Sequence, residues 1–363
     1  MIRIPERPEG QRYWVVRAQG GDFVQHFRQG SVVAIGHLNE FNFPEAGNSP
    51  FIPELDNLFS KIRTSEAKTE IPSWKARAQN RFNQVKTFIA EMSVGDLVIT
   101  IDSGLLMVGR IIGHPKIIGS PVRVVHDPKE NKFTEMAFDL RREVQWGPII
   151  KRKNLPTAMK RSISARQTVF NVDEYWSYIY HLLYPAFIYN CRLYLSTRIE
   201  QEEPISNFSI SQLLLVLTEL EVISRSIEDI DDPALVNFSD FFDLFLERDD
   251  FILATTAEFM SPGSIWSYLG FSNKSGRGIV IGCLLFGMMF GVEIGPIKVD
   301  GVIHKELREK IMDEFNIRLR IHKIEKIKKR LQLTIPKYNT TPLEDSSNDS
   351  PPDPGILELL KEV

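Results

Sequence analysis

Cysteine is scarce in this sequence, which has only Cys191 and Cys283 in a chain of 363 residues. Both stand in apolar sequence surroundings and neither belongs to a CxxC pair, so a disulfide framework and a thiolate zinc site are excluded. The first residues also lack the apolar core of a secretory signal, because Met1 to Arg7 lead into a charged stretch. We therefore expect a protein of the reducing cytoplasm.

The motifs of common enzyme classes are missing as well. The sequence has no GxxxxGK[ST] phosphate loop, no GxSxG elbow and no HExxH zinc helix, and its seven histidines form no i,i+4 pair. The acidic pairs Asp231–Asp232 and Asp249–Asp250 lack the separated Asp and Glu-x-Lys of metal-dependent nucleases, and helix capping or solvated acidic faces account for them. The sequence predicts no catalytic site, no bound metal and no cofactor.

Charge is unevenly divided along the chain, although the formal net charge is only −3. Residues 1–172 have 25 Lys and Arg against 17 Asp and Glu, a surplus of +8, whereas residues 173–297 have 6 against 18, a net −12. A basic region attracts phosphates and an acidic region repels them. We expect the first half to meet any nucleic acid; the alternative is that the charges only segregate among solvated faces.

The first 172 residues have the pattern of a mainly β domain. Short β-rich runs separated by Gly and Pro are typical of a barrel or a strongly curved sheet. The clearest runs are Tyr13–Ala18, Ser31–Gly36, Asp96–Ile101 and Leu106–Gly113. Apolar residues at helical spacing predict two inserted helices, at about 50–64 and 76–91.

From about residue 173 the pattern changes to that of helices, starting with an aromatic stretch that runs to residue 195. Later segments predict amphipathic helices at 212–223 and 241–246, an extended segment at 251–269, a Gly-rich apolar helix at 278–297 and a basic helix at 304–331. Residues 336–363 have the composition of a disordered tail. The predicted fold class is therefore α+β, with a β-barrel domain at 1–172 and a mainly helical module at 173–335.

Several motifs of the first half follow one another in a characteristic order. They are Trp14–Ala18, Val33–Gly36, Ser73–Phe82, Met92–Val98, Val108–Gly113 and Arg142–Trp146. Together they resemble the EVE branch of the PUA-like superfamily, and most nearly the EVE-like sensor domains of modification-dependent restriction and phage-defence proteins. Residues 162–172 are similar to the C-terminal end of those domains. The sequence departs from the pattern at Leu140, where such domains often have a histidine.

The resemblance implies a concave pocket for a single extruded, often modified base. An aromatic ring stacks on a base for roughly 1–3 kcal/mol, and a modified base costs less to unstack. Trp74 is the first candidate for this ring and Trp14 the second, and Asp102 and Ser103 are candidates for contacts with the base edge. A structural role, in the core or on a solvated surface, is the alternative for each of them.

Basic residues of the same half are candidate phosphate contacts. They are Arg17, Arg77, Arg81 and Arg110, and the run 151–153 with Lys160, Arg161 and Arg166 extends the predicted footprint. Several neutralised phosphates would make binding strongly salt-dependent. The alternative for the run is a solvated connector.

The Gly-rich helix at 278–297 leaves two alternatives open. Its 19 residues from Ile279 to Ile297 would span about 28 Å, nearly a bilayer core, but the uninterrupted apolar run ends at Val292. Gly287 and Gly291, four residues apart, belong to a small-residue face that lets helices approach closely. The helix is either membrane-inserted or a buried oligomerisation helix. The basic helix that follows lies on anionic lipid, binds a partner helix or packs on the acidic middle segment.

These features lead to one leading hypothesis and two rivals. The leading hypothesis is a non-enzymatic bacterial defence-type protein whose first half senses a modified base in DNA or RNA, or a nucleotide. Its helical module would act as a homo-oligomer or at the inner membrane. The rivals are a modification-dependent nuclease and an RNA-binding adaptor.

Overall fold

A computed structural model describes residues 4–41, 43, 52–102, 104–127, 132–163, 167–228, 230, 237–248, 251–258, 262–271, 276–292 and 303–344. The chain divides into two compact units. The N-terminal unit comprises the described residues of 9–177 and 339–344, and the C-terminal unit those of 1–8 and 178–338. The division at 177/178 lies five residues beyond the predicted boundary at 172.

The N-terminal unit is built on a seven-stranded curled sheet. The strand order is β2-β8-β4-β3-β1-β9, and β5 also pairs with β8. The strands are β1 Tyr13–Val16, β2 Val32–Ile35, β3 Leu97–Ile101, β4 Leu105–Ile111, β5 Lys116–Ile117, β8 Leu140–Lys151 and β9 Val169–Asn171, and a separate hairpin pairs β6 Val122–Asp127 with β7 Lys132–Met136. A curled half-barrel with inserted helices confirms the α+β class.

Four helices of this unit accompany the sheet. They are α1 Val24–Gln29, α2 Leu55–Ala67, α3 Trp74–Lys86, which continues as a π-helical turn Thr87–Glu91, and α4 Thr157–Ser162. The two inserted helices predicted at 50–64 and 76–91 are therefore present. α2 begins at Leu55 and ends at Ala67, a few residues later in the sequence than predicted. Phe27, Leu58, Val85 and Phe88 are fully buried and pack with strand residues in one core.

Two of the motifs behind the EVE-like resemblance are held by one carboxylate. The Trp14 indole is 1% exposed and its Nε1 donates to Asp96 Oδ2 at 2.8 Å. The same carboxylate accepts the Ser93 N–H, which closes the turn before β3. Buried indole and carboxylate groups need such partners because an unpaired polar group in the core is costly. The motif residues therefore stabilise this fold, whatever else they do.

The C-terminal unit combines helices with an antiparallel sheet of order β10-β11-β13-β12, and β14 pairs with β11. The strands are β10 Ala186–Tyr189, β11 Arg192–Ile199, β12 Ala254–Glu258, β13 Gly263–Gly270 and β14 Leu333–Thr334. The helices are α5 Trp176–Leu183, which begins just before the unit boundary, α6 Asn207–Ser226, α7 Phe238–Arg248, α8 Arg277–Phe290, α9 Lys305–Ile321 and α10 Ile324–Leu331.

The aromatic stretch to residue 195 is not one helix. It ends as a helix at Leu183, and a hairpin follows, whose turn residues Asn190 and Cys191 both have positive φ. A helix across this stretch is wrong because Phe187 and Tyr194 stack face to face as cross-strand partners, with centroids 4.7 Å apart. Cys191 is exposed in the turn, whereas Cys283 is buried.

The Gly-rich helix lies in the core of the C-terminal unit. Nine of the 14 residues of α8 are buried, and Ile279, Met288 and Phe290 are partly buried against the same core. A Cβ on Gly282 would lie 2.8 Å from Leu193 Cδ2, so the small-residue face packs against β11. The helix ends at Phe290, where the αL residue Gly291 caps it, and residues 293–297 of the predicted span lie outside the described residues.

One helix among the described residues is long and apolar enough to cross a membrane by length and composition. It is α6, with a mean hydropathy of 1.2 over the best window and 56% of that window buried inside the fold. Core helices of water-soluble proteins pass the same test, so this observation alone assigns no location.

The basic segment 304–331 forms two helices rather than one. The break falls at Lys323, which has φ +53, between α9 and α10. Leu307, Ile311, Phe315 and Ile327 are buried in the same core as α6. His322 and Arg318 contact Glu219 of α6, at 2.9 and 3.7 Å. Of the three alternatives for this segment, packing on the acidic middle region is the arrangement in the structure.

The start of the predicted tail is ordered. Residues Thr341–Leu343 form a 3-10 turn, Leu343 is 4% exposed, and its carbonyl accepts from Arg110 Nη1 at 3.3 Å. A Cβ on Gly147 would lie 2.8 Å from the Leu343 side chain, which shows how closely the turn packs on β8. Disorder is therefore wrong for residues 336–344, and residues 345–363 lie outside the described part.

We expect the C-terminal unit to lose stability as the pH falls below about 6.5. His181 stacks on Trp266 with centroids 4.9 Å apart, and burial lowers its pKa to about 3. Between these values the unfolded chain binds one proton more than the folded chain, so the free energy of unfolding falls with pH. Between pH 7.5 and pH 5.0, protonation of His181 in the unfolded chain lowers the free energy of unfolding by about 2 kcal/mol.

Urea unfolding of the wild type and of His181→Phe at pH 7.5 and 5.0 measures this effect. Phenylalanine keeps the stack on Trp266 but does not titrate, so the variant should lose about 2 kcal/mol less than the wild type between the two pH values. An identical pH dependence in both proteins would show that His181 is not buried in its neutral form.

Candidate nucleic-acid interface

Several strands end together at one end of the curled sheet. Because β1 and β3 are parallel neighbours, Arg17 and Asp102 follow the ends of adjacent strands. β8 runs antiparallel to β4, with Lys151 opposite Leu105, and so brings Arg152 to the same end. The register thus places residues 17, 102 and 152 in one cluster, which we call the strand-end cluster.

Arg17 is held in this cluster by backbone groups rather than by a carboxylate. Its N–H donates to Thr168 O at 2.9 Å, and its Nη2 donates to Ile163 O. Its Nε is buried and has no hydrogen-bond partner among the described residues. Burial lowers the pKa of Arg17, and the charge of Arg152 lowers the pKa further. In the part of the chain that the structure describes, the charge of Arg17 therefore has no carboxylate partner.

Arg152 and its neighbours add to this charge. The Arg152 N–H donates to Gly104 O at 2.8 Å and its Nη1 to Asp102 O at 3.2 Å, both backbone carbonyls. In the described ranges no ion pair joins Arg17 or Arg152 to a carboxylate. Lys151, Lys153 and Arg161 are exposed nearby in sequence, on β8 and α4. Arg166 lies outside the described residues.

Asp102 has a structural role in the loop after β3. Its Oδ1 accepts the N–H groups of Gly104 and Leu105 at 2.7 and 2.6 Å, which is an Asx turn. Gly21 packs so closely on Asp102 that a Cβ there would lie 2.9 Å from Asp102 Cβ. Ser103, the other candidate for base-edge contacts, lies outside the described residues. Oδ1 of Asp102 is thus occupied by the turn.

The other three candidate arginines do not join the strand-end cluster. Arg77 pairs with Glu66 at 3.1 Å, and Arg81 pairs with Glu40 and Glu66 at 2.9 and 3.3 Å. Arg81 also donates from Nε to the His37 carbonyl at 2.8 Å. Arg110 is bound to Leu343, as described above. The charge of Arg81 is therefore compensated by two carboxylates, and Arg110 is directed toward the 3-10 turn at 341–343 rather than toward the strand-end cluster.

The two candidate stacking rings differ in accessibility. Trp14 is buried, with the Arg12 guanidinium 4.4 Å from its ring centroid, so its ring has no face open to a base, and the prediction for Trp14 is wrong. Trp74 opens α3 with a partly exposed ring, and Lys75 Nζ lies 5.7 Å from its centroid. Of the two, Trp74 alone can stack on a ligand.

A groove on α2 was not predicted from the sequence. It is lined by Phe41, Ser60, Lys61, Thr64, Ser65 and Lys68 and has a volume of about 320 Å³. The polar residues recur at i, i+4 and i+7 from Lys61 and so lie on one helix face. That spacing was visible in the sequence. Phe41 carries no such signal, because it lies outside a regular element and reaches the groove only through the tertiary fold.

His37 and Gln84 were also missed. Gln84 Oε1 accepts the Thr168 N–H at 2.7 Å, and Gln84 also hydrogen-bonds His37. Burial lowers the pKa of His37, and the charge of Arg81 lowers it further despite the bond to Gln84. His37 is therefore neutral at neutral pH, and Gln84 links it to the backbone that holds Arg17.

Comparison with protein-family models, with curated proteins and with solved structures finds no match for the chain. Among the residues that the structure describes, no group of three or more His, Cys, Asp or Glu side chains is arranged to hold a metal ion.

Proposed function

We propose that the N-terminal unit binds nucleic acid, or a nucleotide, and senses a modified base, while the C-terminal unit acts as a non-enzymatic effector. One observation carries the nucleic-acid part: the strand register places Arg17 and Arg152 at the same end of the sheet, and neither has a carboxylate partner among the described residues. Arg17 and Arg152 are half-buried, and bringing two like charges together there has a cost in free energy. A phosphate between the two guanidiniums would remove that cost.

The charge of the surrounding chain supports this proposal. The first 172 residues have a surplus of eight basic residues, and the exposed Lys151, Lys153 and Arg161 extend the strand-end cluster. Guanidinium groups bind phosphate oxygens bidentately, which positions a backbone without reading its sequence. Reading of a base is assigned to exposed rings of the same unit, of which Trp74 is one.

The effector part of the proposal rests on the sequence of the C-terminal unit. Assembly into a homo-oligomer, a role in phage defence and a cytoplasmic location, with or without contact with the inner membrane, are parts of the same hypothesis. The packing of α8 inside its own unit favours a core role for the Gly-rich helix over an intermolecular one. An oligomer would then use other surfaces.

We expect Arg152→Ala to weaken binding about tenfold and to lower the slope of log K against log salt by about one. The reason is that one phosphate contact, with its released counterion, is lost. Binding isotherms over a series of salt concentrations measure both values. The probes are one duplex with and without 5-hydroxymethylcytosine, its single strand and the corresponding RNA.

Arg123→Ala is the matched control for this prediction. Arg123 belongs to the same unit but pairs with Glu135 on the β6–β7 hairpin, and its side chain is 64% exposed. Its removal should leave affinity and salt slope unchanged. If no probe binds the wild type, the proposed function is wrong. Binding of RNA alone would favour the adaptor, and metal-dependent cleavage of a bound probe would favour the nuclease.

A further inference from the structure

We infer that the groove on α2 holds one nucleotide of a single strand, with its base on Phe41 and its phosphates on Lys61 and Lys68. This inference rests on the proposed function and adds to it the place where a base is held. The groove is distinct from the strand-end cluster, since it lies on α2 and on the turn after β2 rather than at the ends of β1, β3 and β8.

The wall of the groove is a preformed aromatic surface. Phe41 is partly buried, and its ring meets Phe43 edge to face with centroids 6.1 Å apart. The Arg81 guanidinium lies 5.4 Å from the Phe41 centroid and is itself fixed by the His37 carbonyl and Glu40. A ring held from two sides loses little freedom when a base stacks on it. Arg81 is therefore a positioning residue for the wall.

The α2 side of the groove supplies positive charge. Lys61 and Lys68 are exposed on one face of α2, seven residues apart, and in the part of the chain that is described neither forms an ion pair. The nearby acids are already neutralised, because Glu40 and Glu66 pair with Arg81 and Arg77. Lys61 Nζ lies 5.4 Å from the Phe43 ring centroid, a cation–π contact that does not neutralise its charge. Two lysines without a carboxylate partner among the described residues thus line the groove.

An aromatic ring beside two lysines fits a nucleotide better than a simple anion. Inorganic phosphate would use the lysines and leave the aromatic wall exposed, and an apolar ligand would leave the lysines unpaired. A nucleotide satisfies both, because its base has a π-face and its phosphates are anionic. Ser60 and Thr64 also line the groove, and the Thr64 hydroxyl donates to the Ser60 carbonyl at 2.9 Å. A volume of about 320 Å³ is at the lower end for ligand sites, which fits one nucleotide rather than several.

Photo-crosslinking tests this inference directly. A single-stranded oligonucleotide with 5-iodouracil at each position in turn is irradiated with the full-length protein, and the crosslinked peptide is identified by mass spectrometry. We expect the crosslink at Phe41. In binding assays with the same strand, Phe41→Leu should lower the affinity about tenfold. Phe41→Trp should bind with the affinity of the wild type, because tryptophan also stacks on a base.

Charge variants give an independent measurement with the same strand. Lys61→Gln and Lys68→Gln should each lower the magnitude of the salt slope by about 0.7, the value for one phosphate of a single strand. Lys116→Gln is the control, because Lys116 is paired with Glu143 at 2.7 Å in the same unit. Retained secondary structure by circular dichroism shows that each variant is folded.

The outcomes separate this inference from the proposed function. Crosslinks at Trp74 instead of Phe41, with wild-type affinity in Phe41→Leu but weakened binding in Arg152→Ala, would overturn the groove as the base site and leave the proposed function standing. A wild type that binds no strand at any salt concentration would overturn both.

Discussion

Replacing Arg142 by leucine is expected to lower the free energy of unfolding of the N-terminal unit by about 3–5 kcal/mol. The guanidinium is buried and donates to the carbonyls of Phe88, Ile89, Met92 and Gly113 at 2.7–3.3 Å. The first three carbonyls end the π-helical turn after α3, where the backbone has no further intrahelical partner. Leucine would leave all four acceptors buried and unpaired, at about 1–3 kcal/mol for each in isolation.

Denaturant unfolding of the full chain, with hydrogen exchange to locate the loss in the N-terminal unit, measures this prediction. Burial lowers the pKa of Arg142 to about 10, so the side chain is charged at neutral pH. Arg142→Lys keeps a charge but loses the planar fork, and we expect an intermediate loss. Arg123→Leu, at an exposed ion pair, should change stability by at most about 0.5 kcal/mol. Equal losses in all three variants would contradict the assigned role.

Replacing Gly282 by leucine is expected to lower the free energy of unfolding of the C-terminal unit by about 3 kcal/mol. Even a Cβ at this position would lie 2.8 Å from Leu193 Cδ2 and 3.5 Å from Ser224 Oγ. An isobutyl group has no space between α8, α6 and β11, and the helix must move out of the core. Gly282→Ala should cost much less, because the end of the Leu193 side chain can shift.

Gly291 provides the contrast. It has φ +64 and nothing within 4 Å of an added Cβ, so its role is that of a C-cap and not of a packing surface. Gly291→Ala should cost about 1 kcal/mol through backbone strain alone. Sedimentation of both variants tests the intermolecular alternative. If Gly282→Leu kept wild-type stability and only dissociated an oligomer, the helix would pack between chains and our account of α8 would be wrong.

The pattern of the first half was sufficient to predict strands, the two inserted helices and the α+β class, because period-2 and period-3.6 apolar spacing follow from local geometry. The candidate site was harder to predict from the sequence than the secondary structure. Arg17 could be named from the sequence, but the same reasoning also named Arg81 and Arg110, and only the fold shows that those two donate to carbonyls and carboxylates of the protein.

The sequence by itself determined the charge division, the absence of known catalytic motifs and the approximate position of most helices. It did not determine where the helix of the 175–195 stretch ends, because aromatic residues suit helix and strand and the choice was made by the stack of Phe187 on Tyr194. Nor did it distinguish a core glycine such as Gly282 from a capping glycine such as Gly291. That distinction, like the placement of Arg17 and Arg152 at one end of the sheet, depends on contacts between residues far apart in the chain, which local periodicity does not encode.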